Sequence, residues 1–335
     1  MTAAIPSPAR TTALGALLDR WSSTPCEDGD AAARERERAL IAPLREFLGR
    51  PSKLFRARLV DLGFRLAGGV AGTCPQELGL LVEALHAGSL VVDDIEDGST
   101  ERRGAPALHL LHGTPVALNA GNWLYFWPQV LLSEMALPDP VRLRAHERIA
   151  RCLARCHEGQ ALDLSIRIWE VPVDEVSRVV RAITLRKTAG LLELATTLGA
   201  IVAGADSERV EAIARFGREV GVGLQMLDDA SGVLNEARRH KGIEDLAQAR
   251  ATWVWSWLSQ DLEDRAYRAL VDELRFGKIT DDYVVRVRAH LGDGGARRTR
   301  AQLDAALEAV REAGGDDLRC REVAGELARL ERSYV

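Results

Sequence analysis

The sequence predicts an all-α protein, a single large helical bundle. Three observations carry that prediction. Apolar residues recur at three-and-four spacing along most of the 335-residue chain. Strand-like alternation bounded by turn signals is scarce. Glycine and proline cluster at intervals that cut the chain into roughly ten or more helix-length pieces.

Taken in order, residues 1–9 and 22–32 are rich in Ser, Pro, Ala, Gly and Asp. They read as a loose arm and a loop, so that 1–32 stands apart from a helical domain over 33–335. From residue 33 the pattern turns to Ala, Leu, Arg and Glu, with Leu40, Ile41, Leu44, Phe47 and Leu48 forming one stripe. Breakers then fall at Gly49–Pro51, Gly68–Gly72, Gly104–Pro106, Pro138–Pro140, Gly204, Gly292–Gly295 and Gly314–Gly315. Residues 77–92 are apolar on nearly every face, with one acidic residue and one histidine after Glu77. Such a helix belongs in the middle of a bundle.

Composition narrows the function. At 47% hydrophobic the chain buries a sizeable core. With 44 Lys+Arg against 49 Asp+Glu, a net charge of −5 argues against a nucleic-acid binder. The basic residues are almost all arginine, and lysine occurs only at Lys53, Lys187, Lys241 and Lys278. Five scattered cysteines do not make a disulfide framework. Cys152, Cys156 and His157 resemble half a zinc site, but no second ligand pair completes it, and they read as small buried or neutral residues. The N-terminus lacks the apolar core of a signal peptide. No apolar run approaches the ~20 residues of a membrane span, so the expected location is cytoplasmic.

The most informative feature closes the 77–92 helix. Asp93 and Asp97 share a face and Asp94 lies alongside. Three carboxylates at a helix C-terminus repel one another and oppose the macrodipole. Divalent cations relieve that, and hard oxygen ligands suit Mg²⁺. Arg102 and Arg103 follow, and guanidinium forks bind phosphate bidentately. A second cluster ends another apolar segment: Gln225, Asp228 and Asp229 lie at i, i+3 and i+4, behind glycines that allow close helix approach. Lys187–Thr188, Lys241 and Lys53 supply compact positive charges suited to a crowded phosphate site.

These motifs resemble, in order and spacing, the trans-isoprenyl diphosphate synthase (polyprenyl synthetase) family from about Gly49 to Thr252. Ser52-Lys53-Leu54-Phe55-Arg56 is similar to the family's GKxxR segment, with Ser for the usual Gly. His86, the run Asp93–Asp97 with Arg102-Arg103-Gly104, Gln160 with Asp163, Lys187-Thr188, Gln225 with Asp228-Asp229, and Lys241 with Asp245 match the others. Gly232 stands where a third Asp of the second motif is usual. Asn122 replaces an Asp, and Arg250 replaces a Lys and reads as a peripheral exception.

The resemblance implies the isoprenoid synthase type I fold with a central cavity, a homodimer, and three Mg²⁺ ions per site. It implies condensation of an allylic diphosphate with isopentenyl diphosphate, giving a product of C20 or longer. Asp93, Asp97 and Asp228 are then metal ligands, supported by Asp94 and Asp229. Arg102, Lys187 and Lys241 hold the allylic diphosphate. Lys53, Arg56, His86 and Arg103 hold isopentenyl diphosphate. Thr188 and Gln225 turn oxygen dipoles toward the developing cation. The small Gly88 and Ser89, one turn before Asp93, line the chain-length pocket. Trp123, Tyr125, Phe126 and Trp127 either floor that pocket or are plain core. Two rivals stay open: a terpene cyclase on the same fold, for which the Trp253, Trp255, Trp257 run and the imperfect second motif speak, and a non-catalytic partner subunit, for which Gly232 speaks.

Overall fold

The computed structural model describes residues 12–23, 29–235, 242–243, 246–277, 279–332 and 334. Its long elements are helices, joined by short turns and one minimal hairpin. Contacts divide the chain into two compact units. The first comprises the described residues up to Arg58 together with Pro75–Arg142; the second comprises Leu59–Cys74 and the described residues from Leu143 onward.

In the first unit, residues 1–32 are not all arm and loop. Helix α1, Ala13–Ser22, is capped by Thr12, whose hydroxyl accepts from the Gly15 N–H at 3.0 Å and donates to the Leu48 carbonyl at 2.6 Å. It buries Leu14, Leu17 and Leu18, a three-and-four stripe too short to stand out beside its Pro- and Ser-rich flanks. Helix α2, Asp30–Arg36, runs through a π turn, Glu37–Ile41, into α3, Ala42–Leu48. The predicted stripe is the buried face there, with Ile41, Leu44 and Phe47 fully enclosed. Helix α4, Phe55–Leu66, starts in this unit. Helix α5, Gln76–Glu96, is the predicted apolar helix, and packs along α7, Thr114–Glu134, with the one-turn α6, Leu108–His112, between them in sequence.

The second unit begins within α8, Asp139–Ser165. Helices α9, Val176–Arg186, and α10, Thr188–Val202, are nearly continuous and break at Lys187. Helix α11, Ser207–Leu234, packs along α10 and along α15, Gly294–Glu312. Around them lie α12, Trp253–Asp261; α13, Asp264–Phe276; α14, Asp281–Leu291; and α16, Asp317–Arg332. The Trp253, Trp255, Trp257 run is core: these rings are 6%, 1% and 1% exposed. The Trp253 indole donates to the Thr184 hydroxyl at 3.0 Å, and Trp255 meets Tyr267 edge to face. Buried this way, the run gives a cyclase reading no support. Among the described residues no helix is long and apolar enough to cross a membrane.

Candidate functional site

The first acidic motif sits where α5 stops. The Asp97 N–H closes the last turn on the Asp93 carbonyl at 2.8 Å, and Gly98, at φ 64°, turns the chain away. Asp93 and Asp97 are half-buried and one turn apart. Asp94 points inward and is fully buried; its Oδ1 accepts from Arg102 Nε at 2.8 Å and Nη2 at 2.5 Å. Its Oδ2 is buried without a hydrogen-bond partner. Burial pushes the Asp94 carboxyl above its usual range, the bond and charge of Arg102 oppose this, and neighbouring Asp93 adds to it. The geometry thus sorts the three carboxylates: two stay half-open and the third braces Arg102. Among the described residues no three His, Cys, Asp or Glu side chains converge as a ready-made metal cage. The donor set still fits Mg²⁺, which takes one or two carboxylates and fills its remaining positions with water and phosphate oxygens.

Arg102 reaches Asp94 because the chain doubles back. Glu101–Arg102 pairs antiparallel with Ala105–Pro106, and Arg103 (φ 55°) and Gly104 (φ 76°) form the two-residue turn. Both positions left-handed is the tight-hairpin conformation; Gly104 adopts it freely and Arg103 at a cost of roughly 1 kcal/mol or more. Arg50 pins the hairpin from α3's end. It is 5% exposed, donates to the Arg102 and Pro106 carbonyls at 2.8 Å each, and pairs with Glu46 at 2.9 Å. Arg50 and Arg103 both lie over the Phe47 ring, at 5.1 and 5.4 Å.

This arrangement gathers Arg56, Arg102 and Arg103 around His86. Burial, then Arg56, Arg103 and Arg102, push the imidazole well below its usual 6.5, so His86 is neutral. Burial also lowers Arg103, with Glu83 opposing and Arg56, Arg102 and Arg50 reinforcing. Glu83, 2% exposed, accepts the Arg56 and Ala57 N–H groups at 2.9 and 3.2 Å. A carboxylate on α5 therefore caps the first turn of α4, next to exposed Lys53 and to Leu54, itself left-handed at φ 47°. Arg50 and Glu83 were not among the expected site residues. The available signal for Glu83 was its solitary charge inside an apolar helix.

The second unit builds its own network. Gly221 of α11 lies so close to α10 that a Cβ there would stand 2.3 Å from the Ala189 Cα. One turn on, Thr188 donates its hydroxyl proton to Gln225 Oε1, and Gln225 Nε2 donates to Asp229 Oδ1 at 2.7 Å. Asp229 Oδ2 accepts the Trp253 N–H at the start of α12, at 2.8 Å. Both oxygens of Asp229 are thus engaged by α11 and α12. Asp228 is half-buried beside it. Lys187, at the α9–α10 break, pairs with Asp163 at 2.8 Å. Arg250 pairs with the same Asp163 oxygen at 3.0 Å and its side chain is 11% exposed, so it is not peripheral. Gly159 lets α8 reach that break, since a Cβ there would meet the Lys187 N at 2.9 Å. Gly232 is buried, and Gly242 packs on it so tightly that a Cβ on Gly242 would lie 1.9 Å from the Gly232 carbonyl oxygen. Lys241 and Asp245 lie outside the described residues.

The two pocket residues separate. Gly88 is at the α5–α7 contact, where a Cβ would stand 2.8 Å from the Gly121 carbonyl and from the Leu124 Cβ. Its smallness serves helix packing and it faces no open space. Ser89 is half-buried, with its hydroxyl donated to the His86 carbonyl at 2.9 Å. The aromatics do not form one surface either. Trp123 stacks on Trp127 at 5.1 Å with Trp21 edge-on to both, whereas Phe126 is 68% exposed.

Comparison with known proteins agrees with this frame. The sequence profile described as polyprenyl synthetase matches residues 37–278. The geranylgeranyl diphosphate synthase of Sulfolobus acidocaldarius is 33% identical over 157 residues, 46% of this chain and 47% of that one. Across three such curated relatives the chain spans 47%, 61% and 55% of their lengths. The crystal structure of geranylgeranyl pyrophosphate synthase from Corynebacterium glutamicum, complexed with isoprenyl diphosphate and magnesium, superposes with a TM-score of 0.78 at 20% identity, over 95% of this chain and 96% of that one. That of a decaprenyl diphosphate synthase from Rhodobacter capsulatus gives 0.74 at 23% identity, over 96% and 95%. The all-α fold of this chain is theirs.

Proposed function

The chain belongs to the polyprenyl synthetase family, and we propose that it is a Mg²⁺-dependent prenyltransferase joining an allylic diphosphate head-to-tail to isopentenyl diphosphate, with a product of C20 or longer. The observation that carries this reading is the basic cluster of Arg56, Arg103 and neutral His86, with Lys53 nearby. A diphosphate held without a metal needs cationic donors of this kind. A cyclase, which ionises a single substrate, has no use for a second diphosphate site.

Asp93, Asp97 and Asp228 would hold Mg²⁺, with Asp94 bracing Arg102 and Asp229 bracing Gln225. Bound Mg²⁺ supplies Lewis-acid neutralisation of the departing pyrophosphate. Arg102, Lys187 and Lys241 orient the allylic diphosphate, while Lys53, Arg56, His86 and Arg103 fix isopentenyl diphosphate. Neutral His86 donates a hydrogen bond without adding to the crowded positive charge. Thr188, its proton given to Gln225, presents oxygen lone pairs to the allylic cation. Ser89 stands by the growing tail. A cytoplasmic homodimer with three Mg²⁺ ions per site belongs to the same proposal.

The test is incubation with Mg²⁺, an allylic diphosphate and labelled isopentenyl diphosphate. Label in a longer prenyl diphosphate supports the proposal. Unlabelled hydrocarbon would establish a cyclase, and no turnover with any allylic substrate would favour a partner subunit, the reading that Gly232 suggests.

A further inference from the structure

The second unit carries a cleft unrelated to the residues above. Arg148, Arg151 and Arg155 project from α8 at i, i+3 and i+7, and Gly190, Glu193 and Leu194 of α10 form the opposite wall. The cleft is open to solvent. Gly190 adds no side chain to fill it, and the bordering Cys152 turns its thiol onto the Gly190 carbonyl at 3.3 Å.

The electrostatics are unusual. The Glu193 side chain is 7% exposed, yet its Oε2 has no hydrogen-bond partner. Three guanidiniums stand off it: Arg218 at 3.3 Å, Arg155 at 3.7 Å and Arg148 at 3.9 Å. The buried Nε of Arg148 also has no partner. Glu211 pairs with Arg218 at 2.8 Å and with Arg148 at 3.5 Å, so two carboxylates serve four arginines here. The locality therefore has an excess of guanidinium donors together with one dehydrated carboxylate oxygen that has no hydrogen bond, its nearest donor being Arg155 at 3.7 Å, and leaving such groups without hydrogen bonds is unfavourable.

One ligand class satisfies both. The arginines ask for an oxyanion, whereas the carboxylate oxygen asks for a donor and repels a fully ionised anion. We propose that this cleft binds a hydrogenphosphate group, an oxyanion that still carries a proton near neutral pH: its P–O–H donates to Glu193 Oε2 while its other oxygens accept from Arg148, Arg151 and Arg155. Sulfate has the same shape and charge but no proton to donate. This site is independent of the prenyl-transfer reading, and none of its residues belongs to the machinery described above.

The experiment is calorimetric titration of the full chain in EDTA, without Mg²⁺, with inorganic phosphate, sulfate and pyrophosphate in turn. Phosphate is expected to bind on the order of tenfold or more tighter than sulfate, the worth of one charge-assisted hydrogen bond. Arg151→Ala and Arg155→Ala, at exposed positions, should each weaken phosphate about tenfold. Glu193→Gln, whose amide can donate, should bring sulfate level with phosphate. Pyrophosphate binding that is tighter than phosphate and is weakened by Arg151→Ala and Arg155→Ala would identify a diphosphate as the ligand of this cleft, and equal binding with the same sensitivity would identify a single phosphate group. Equal phosphate and sulfate affinity in the unaltered protein, or phosphate binding that survives both arginine substitutions, overturns the proposal. If Glu193→Gln does not fold, those two readouts still decide it.

Discussion

Glu83 offers the sharpest test of how the first unit is held together. Its carboxylate accepts two backbone N–H groups at the start of α4, at 2.9 and 3.2 Å, and is 2% exposed. Glu83→Ala removes both bonds and leaves two part-buried donors unpaired. A hydrogen bond to a charged acceptor contributes about 1.5–3 kcal/mol, and loss of a helix cap typically costs about 1 kcal/mol. The shorter bond at the upper value and the longer one near the cap value give a loss of about 3–4 kcal/mol. Glu83→Gln keeps an acceptor oxygen and gives up the charge, for about 1 kcal/mol. Because the capped turn carries Arg56 and follows Lys53, both variants should also raise the KM for isopentenyl diphosphate more than that for the allylic substrate. Urea unfolding and steady-state kinetics measure the two effects. Glu83→Ala within about 0.5 kcal/mol of the parent, the range of neutral surface changes, would refute the capping argument. Lost stability with an unchanged KM ratio would refute the link from cap to substrate site.

Three further predictions follow from other parts of the molecule. Asp228→Asn should cost turnover by about 10²-fold or more, and Asp229→Asn should lose about 1–3 kcal/mol in denaturant unfolding because it disturbs bonds to Gln225 and Trp253. Gly88→Ala should destabilise by about 1–3 kcal/mol through overpacking against α7, while Ser89→Phe should shorten the product seen by mass spectrometry; an unchanged product length would remove Ser89 from the pocket wall. Since the folded pKa of His86 lies below the unfolded 6.5, the unfolded chain binds its proton first; stability from this group is full above 6.5 and is lost as pH falls below it, so His86→Gln should flatten the stability profile on the acid side.

The parts legible in the sequence were those written contiguously. An apolar helix ending in acids and breakers between helices survive in the structure because each is a local pattern, whereas the second acidic pair does not end its helix: α11 runs on past Asp229 to Leu234. What escaped depends on which distant backbone a side chain meets. Arg50 works by reaching carbonyls more than fifty residues away, Glu83 by capping a helix 27 residues earlier, and neither has a motif. Gly88 misled because spacing says that a residue is small and near Asp93 but not which face of α5 meets α7. Arg250 misled for a related reason: a family difference looks incidental until its shared partner, Asp163, is seen. Helix α1 was hidden by composition, its stripe being short beside Pro- and Ser-rich neighbours.

The central claim is that two diphosphates meet in one protein and one supplies its carbons to the other. The direct measurement is the mass of the product made from an allylic diphosphate and ¹³C-labelled isopentenyl diphosphate in the presence of Mg²⁺. The account predicts prenyl diphosphates whose masses rise by whole labelled five-carbon units, ending at C20 or beyond. A product that carries no label would contradict it.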